Sequence, residues 1–287
     1  MLLSPFCNVY FYGQRTVMKY ICLSVVLAFL VSACESLQQE VSKQQDPQIP
    51  SQEYLVAATL WVQHSAEYRA LCYQAYEWAG WRLQNILQDE PSQPAVILDL
   101  DETVLDNSAF TGWQIENDEP FSYESWAQWT ALAEALEVPG AGDFLRMADS
   151  LGVTLFYVSN RDTSALQETI RNMEQFNMPQ LKPEHFLLKT HTSGKEDRRA
   201  EIESRGYDVV LLIGDNLGDF HEQWDKADTA TRQRHTDESR SRFGYDYIVL
   251  PNPIYGTWEG ALYNYDRSLN DAQRDAIRKK VLRVAPL

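Results

Sequence analysis

Five short apolar runs punctuate the chain, at residues 95–100, 153–159, 186–189, 209–213 and 247–250. Each is continuous rather than alternating, the pattern of strands buried on both faces of a parallel sheet. Longer helical stretches connect several of them. Strands alternating with helices predict an α/β fold, a Rossmann-like and mainly parallel sheet flanked by helices. Ahead of the first run, residues 52–88 carry apolar positions at three- and four-residue spacings. Tyr68, Leu71, Ala75, Trp78, Leu83 and Ile86 form the predicted buried face of these N-terminal helices, and Pro91 and Pro94 end the pattern. Residues 107–145 interrupt the alternation with an aromatic-rich stretch, expected to be a small, mainly helical cap or insertion. Residues 225–243 are charged and read as an exposed loop or helix. No internal repeat is present.

The beginning of the chain follows another pattern. Read from Met18, Lys19 supplies a positive start, residues 21–31 an apolar core, and Ser32 and Ala33 the small residues before a cleavage point. The run is too short for a comfortable membrane span. "VSAC" resembles a bacterial lipobox, in which Cys34 would be lipidated and become the first mature residue. The alternative is an ordinary signal peptide with an incidental cysteine. Glu35 stands where an Asp would favour inner-membrane retention, so the expected location is the cell envelope, at the outer membrane. Residues 35–51 are polar, Gln-rich and hold two prolines, as a flexible tether would. The domain itself is then expected over 52–287.

The 287-residue chain is 44% hydrophobic, enough for a sizeable core, and its formal net charge is −16. That balance argues against nucleic acid as a main partner, because phosphate backbones need a basic footprint. It leaves room for a small phosphorylated ligand held locally. With Cys34 as an anchor, the mature chain keeps only Cys72, which lies in a helical pattern and reads as a small core residue. The five histidines show no metal-binding spacing and receive no role.

Three of the apolar runs end in chemistry. The first gives "DLDET" with Asp99 and Asp101, the second "VSNRD" with Ser159, Asn160 and Arg161, and the fourth "IGDNLGDF" with Asp215 and Asp219. Ligands of open α/β sheets bind beyond the carboxyl ends of the strands, where these ends would meet. Four carboxylates in one small volume cannot all stay ionised unaided. A hard divalent cation would compensate them, and Mg²⁺ is the commonest choice. Each fragment alone would pass for a turn or helix cap; three in this order would not.

"VILDLDETVLDNSAF" and "VLLIGDNLGDF" resemble the paired signatures of the class C bacterial acid phosphatases, lipoprotein enzymes of the haloacid dehalogenase superfamily. The similarity extends to "PFSYESWAQW", "FYVSNR", "GKEDRR" and "PNPIYGTWEGAL". Phe110 departs from it, standing where the first signature usually carries Tyr. The resemblance implies hydrolysis of phosphate monoesters in two steps, with Asp99 as nucleophile and Asp101 as general acid and then base. It implies Mg²⁺ held by Asp99, the Asp101 carbonyl and Asp215, with Asp219 bound through water or orienting the ligands. Ser159 and Lys195 would stabilise the transferring phosphoryl group. Asn160 would add a donor. Arg161 has two readings, a substrate ligand or a structural ion pair. Trp126 and Tyr255 match the aromatic pair that sandwiches the base of a nucleoside monophosphate in nucleotidase-like members, so nucleotides, including nicotinamide mononucleotide, are the expected substrates. A homodimer is also implied.

The competing reading is a non-catalytic binding lipoprotein on the same fold. Retention of Asp99, Asp101, Asp215, Asp219, Ser159 and Lys195 together argues against it. The lipobox reading makes a direct prediction: Cys34→Ser should abolish incorporation of a labelled fatty acid, whereas an ordinary signal peptide would leave the protein unlabelled with either residue.

Overall fold

A computed structural model describes residues 50–286; the expected signal peptide, Cys34 and residues 35–49 of the expected tether lie outside the described residues. Two helices come first, α1 (Val56–His64) and α2 (Ala66–Ile86). Ser65 separates them by capping α2, its hydroxyl accepting the Tyr68 N–H at 3.0 Å. The buried face of α2 is Tyr68, Cys72, Tyr76, Ala79, Gly80 and Leu83. The helix is as expected, but the face is turned: Leu71 and Trp78 are 42% and 46% exposed. Apolar spacing alone allowed two adjacent stripes on this helix. Polar contacts choose between them. The Tyr76 hydroxyl donates inward to the Thr103 carbonyl at 2.6 Å, while the Trp78 indole donates at the surface to Gly244 and its ring stacks on Trp81.

After α2 the chain alternates. In order come β1 (Pro94–Leu98), β2 (Leu105–Asp106), α3 (Ser108–Asn117), α4 (Tyr123–Leu132), β3 (Leu136–Glu137), α5 (Ala141–Ser150), β4 (Thr154–Asp162), α6 (Leu166–Glu174), β5 (Phe186–Lys189), α7 (Glu196–Ser204), β6 (Asp208–Gly214), α8 (Thr229–Glu238), β7 (Tyr247–Val249), α9 (Thr257–Leu262) and α10 (Asp271–Lys280). The five predicted runs form one sheet in the order β5-β4-β1-β6-β7, with every pair parallel. β1 is central, flanked by β4 and β6, and its residues alternate between two cores. Val96 and Leu98 join the larger cluster with α2 and α5; Ala95 and Ile97 join Phe156, Val158, Leu187 and Ile202 on the other face. Burial on both faces is why the run is continuously apolar.

β2 and β3 pair antiparallel and bracket α3 and α4. The cap is therefore helical, but shorter than the 107–145 expected. Residues from Ala141 onward belong to α5, whose Phe144, Leu145 and Ala148 are buried in the main core as the lead-in to β4. The charged segment at 225–243 holds α8, capped by Asp228. No helix among the described residues is long and apolar enough to cross a membrane.

Cys72 is fully buried, and burial pushes its thiol up to about 11, with the hydrogen bond to Tyr68 working in the opposite direction. The thiol should therefore stay protonated and inaccessible at neutral pH. In a form beginning after Cys34, a thiol reagent should label the native protein negligibly and the urea-unfolded protein stoichiometrically.

Candidate active site

The site lies at the carboxyl end of the sheet, where β1, β4 and β6 terminate side by side. The Asp99 N–H still donates to the Ile213 carbonyl at 2.9 Å, so the first carboxylate is fixed by the ladder itself. The following turn folds back on Leu100, whose carbonyl accepts from Thr103, Val104 and Leu105. Glu102 takes a left-handed φ of 59° there, and its Oε1 accepts the Asn107 N–H at 2.8 Å. Asp106 accepts from Ser108 N at 2.8 Å, so both acids serve the local turn.

On β4 the pairing with β5 slips between Ser159 and Asp162, which face Leu188 and Lys189. Such a bulge re-aims side chains at a strand end. Asn160 lines a cavity of about 190 Å³, along with Asp99, Asp101, Lys195, Asp215 and Tyr255. Its Oδ1 accepts from Arg198 at 2.7 Å, which leaves the amide N–H groups for the cavity. Ser159 is buried, and its hydroxyl lies 3.4 Å from Asp101 Oδ2. Arg161 is 2% exposed and does not line the cavity; its Nη2 lies 2.8 Å and its Nε 2.9 Å from Asp101 Oδ1. Of the two readings for Arg161, the geometry is that of an ion pair within the protein, with Thr169 Oγ1 holding Nη1 at 3.0 Å.

β6 ends at Gly214, and Asp219 tucks back over it. A Cβ on Gly214 would lie 2.4 Å from Asp219 Oδ2, so no side chain fits. Asp219 Oδ2 accepts the Asn216 N–H at 2.9 Å, while Oδ1 meets Lys195 Nζ at 2.7 Å. Lys195, at the start of α7, also pairs with Asp99 Oδ1. Asp215 Oδ2 accepts from Asn252 at 2.8 Å.

Carboxylate oxygens of Asp99, Asp215 and Asp219 lie within 4.8 Å of one another. One ammonium stands among three acids, and the imbalance shows in the proton affinities of Asp99 and Asp215. Burial, then the Asp219 and Asp101 charges, push Asp99 up to about 7 against the pull of Lys195. Burial, Asp219 and Asp99 likewise hold Asp215 well above the usual carboxylate range. Burial acts to lower Lys195, but Asp219 and Asp99 outweigh it and hold the ammonium above its ordinary value. An all-oxygen, anionic, enclosed donor set of this kind can hold a divalent cation.

Two expected aromatics are placed differently from one another. Tyr255 lines the cavity and is 40% exposed. Trp126, on α4, leans edge-on against Phe110 at 5.2 Å and stands over the Arg161 guanidinium at 5.9 Å, outside the cavity lining. Phe110, the departure from the family signature, is buried in this aromatic cluster with Trp113 and Phe121. Three supporting residues were missed by sequence reasoning: Asn107, Arg198 and Asn252. All lie inside the quoted motifs, as "LDNSAF", "KEDRR" and "PNPIYG". For the two asparagines an amide flanking a strand end was the signal available; Arg198, inside α7, had none.

Comparison with known proteins agrees with this geometry. The family described as HAD superfamily, subfamily IIIB (acid phosphatase) matches residues 19–258. The class C acid phosphatase from Bacillus anthracis is 40% identical, with a TM-score of 0.79 over 83% of this chain and 100% of that one. A crystal structure of that enzyme with tungstate bound matches at 39% identity and a TM-score of 0.78, with the same coverage of both chains.

The raised Asp99 pKa has a sign. A carboxyl that binds its proton more tightly when folded contributes stability at low pH and loses it as pH rises through about 7. Lys195→Met should sharpen this. In EDTA, unfolding curves should show a loss of about 3–5 kcal/mol at about pH 8, shrinking toward about pH 5 as protons replace the missing ammonium. An equal loss at both pH values would contradict the electrostatic account.

Proposed function

The chain belongs to the acid phosphatase family of the HAD superfamily, subfamily IIIB, and from that premise we propose a Mg²⁺-dependent hydrolase of nucleoside 5′-monophosphates that works through an aspartyl-phosphate. The observation that carries the reading is the convergence of Asp99, Asp215, Asp219 and Lys195 at the floor of one cavity, with Asp101 at its edge. The tungstate complex of the Bacillus anthracis enzyme supports it, because tungstate is a tetrahedral oxyanion like phosphate.

Asp99 is the nucleophile. Its Oδ1 is engaged by Lys195, and no described residue donates to Oδ2, which is free to form the bond to phosphorus. Asp101 gives its proton to the leaving oxygen and afterwards takes one from the water that hydrolyses the acyl phosphate. Lys195, the Ser159 hydroxyl and the Asn160 amide supply donors to the phosphoryl oxygens. Arg161 belongs with Asp101 rather than with the substrate. Mg²⁺ fits the donor set of Asp99, Asp215, Asp219 and the Asp101 carbonyl, and when bound it neutralises the charge that anionic Asp99 and an anionic ester would otherwise share. Tyr255 offers one stacking face at the cavity for a nucleobase, nicotinamide included, and Trp126 on the cap is the candidate for the other.

The proposed setting is the bacterial envelope, with residues 1–34 as signal peptide and lipobox, Cys34 anchored to the outer membrane, residues 35–51 as tether and the enzyme as a homodimer. Its substrates are small phosphate monoesters, with no nucleic acid partner.

Phosphate release from nicotinamide mononucleotide tests the reading. It should require Mg²⁺, stop with EDTA and fall by about 10³-fold or more in Asp99→Asn. Tyr255→Ala and Trp126→Ala should each raise KM for the nucleotide by about 5- to 100-fold, as loss of one stacking face does, and leave glycerol phosphate nearly unchanged. Turnover by Asp99→Asn at the normal rate would remove the nucleophile; equal effects on both esters would remove the clamp.

A further inference from the structure

Asp101 is gripped from the cap. Its Oδ1 accepts from Arg161 Nε at 2.9 Å and from Asn107 Nδ2 at 3.0 Å, and Arg161 Nη2 lies 2.8 Å away as an ion-pair contact. An oxygen so loaded has no lone pair left for a proton. Oδ2 meets only the Ser159 hydroxyl, at 3.4 Å, and Asp101 lines the cavity. A proton on Asp101 is therefore carried by Oδ2.

The Asn107 amide can donate to Asp101 only with its nitrogen toward the carboxylate. Its oxygen is pinned on the other side by the Trp129 indole N–H at 2.9 Å and by Arg161 Nη2 at 3.4 Å, and its nitrogen also reaches the Leu105 carbonyl at 3.2 Å. A flipped amide would face N–H groups against two donors and turn its oxygen on a carboxylate. Trp129 thus fixes the amide, and Trp129 lies on cap helix α4. One turn earlier on the same helix, Trp126 covers the guanidinium that supplies the other donor.

We propose that Trp129 and Asn107 are positioning residues through which cap helix α4 sets the direction in which Asp101 delivers its proton. This rests on the reading of Asp101 as the proton donor. In that step an Asp99 oxygen forms a bond to phosphorus as the ester P–O bond breaks. The bonding pair goes to the leaving oxygen, and the proton on Asp101 Oδ2 moves to that oxygen. A p-nitrophenolate can depart without the proton; an alkoxide cannot. A misdirected Asp101 therefore penalises alkyl esters selectively, whereas a general weakening of the fold penalises both alike.

The test is single-turnover release of alcohol from ethyl phosphate and from p-nitrophenyl phosphate by the Mg²⁺-loaded enzyme. Trp129→Phe keeps the ring and removes the N–H; it should slow ethyl phosphate about 5- to 10-fold more than p-nitrophenyl phosphate. Asn107→Ala should discriminate at least as strongly, and if it does not fold, Trp129→Phe decides. Equal losses on the two esters in Trp129→Phe would overturn the proposal. Asp101→Asn separates the two levels, and its discrimination should reach about 100-fold or more. If Asp101→Asn discriminates and Trp129→Phe does not, the relay fails alone. If Asp101→Asn shows equal losses, Asp101 is not the proton donor and the relay falls with it.

Discussion

Three carboxylates are brought within one ligand's reach at a buried sheet end, and a single buried ammonium meets them. Repulsion between them would open the strand ends if nothing opposed it, so the surrounding structure is organised around holding them. The backbone ladder fixes Asp99. Gly214 makes room for Asp219 to fold back and cap Asn216. Asn252 reaches in from the far side of β7 to hold Asp215. Lys195 is delivered to the centre by the start of α7. None of these parts stabilises the fold in its own right, since removing two ions from water usually costs about as much as their attraction returns. What they keep is excess negative charge, and that charge is what makes the site a cation-binding one.

The second constraint is the end of β4. The pleat places residues 159 and 161 on one face and 160 on the other, which sends Asn160 to the cavity and Ser159 and Arg161 inward. Arg161 thereby meets Asp101 across the end of β1. Asp101 is thereby treated differently from the other acids. It has its own buried cation and its own amide, while Asp99 and Asp219 share Lys195 and Asp215 takes the Asn252 amide. The proposed division between a metal-and-nucleophile group and an acid–base group follows from which cation each acid meets.

Much of this was legible in the sequence. Continuous apolar runs located all five strands of the sheet, because strands buried on both faces admit no alternation. The acids that follow three of those runs located the site, because parallel strands end together. What was not legible depended on side-chain direction. The buried stripe of α2 was displaced from Leu71 and Trp78 because Tyr76 finds a buried carbonyl and Trp78 a surface one, which spacing does not encode. The extent of the cap was overestimated because α5 begins with the same small and apolar residues as the cap helices. Arg161 had two readings, and the pleat of β4 turns it toward Asp101. Asn107, Arg198 and Asn252 each hold a side chain of the site as well as nearby backbone, and their local sequence does not say which side chain.

The cap gives the last step of the argument. Helix α4 touches the chemistry at two points one turn apart, Trp129 on the amide of Asn107 and Trp126 above Arg161. Both lead to the same oxygen of Asp101. A cap that only covered the cavity would need shape and apolar surface, and the cluster of Phe110, Trp113, Phe121 and Trp126 supplies those. An indole N–H spent on a buried amide is a polar commitment that covering does not require. Its effect is to tie the position of the cap to the aim of the acid. The same helix carries the aromatic proposed to receive a nucleobase, so displacement of α4 by the substrate's far end would be felt at the bond being broken. Selection of the leaving group and its protonation are then properties of one rigid element rather than of two separate sites.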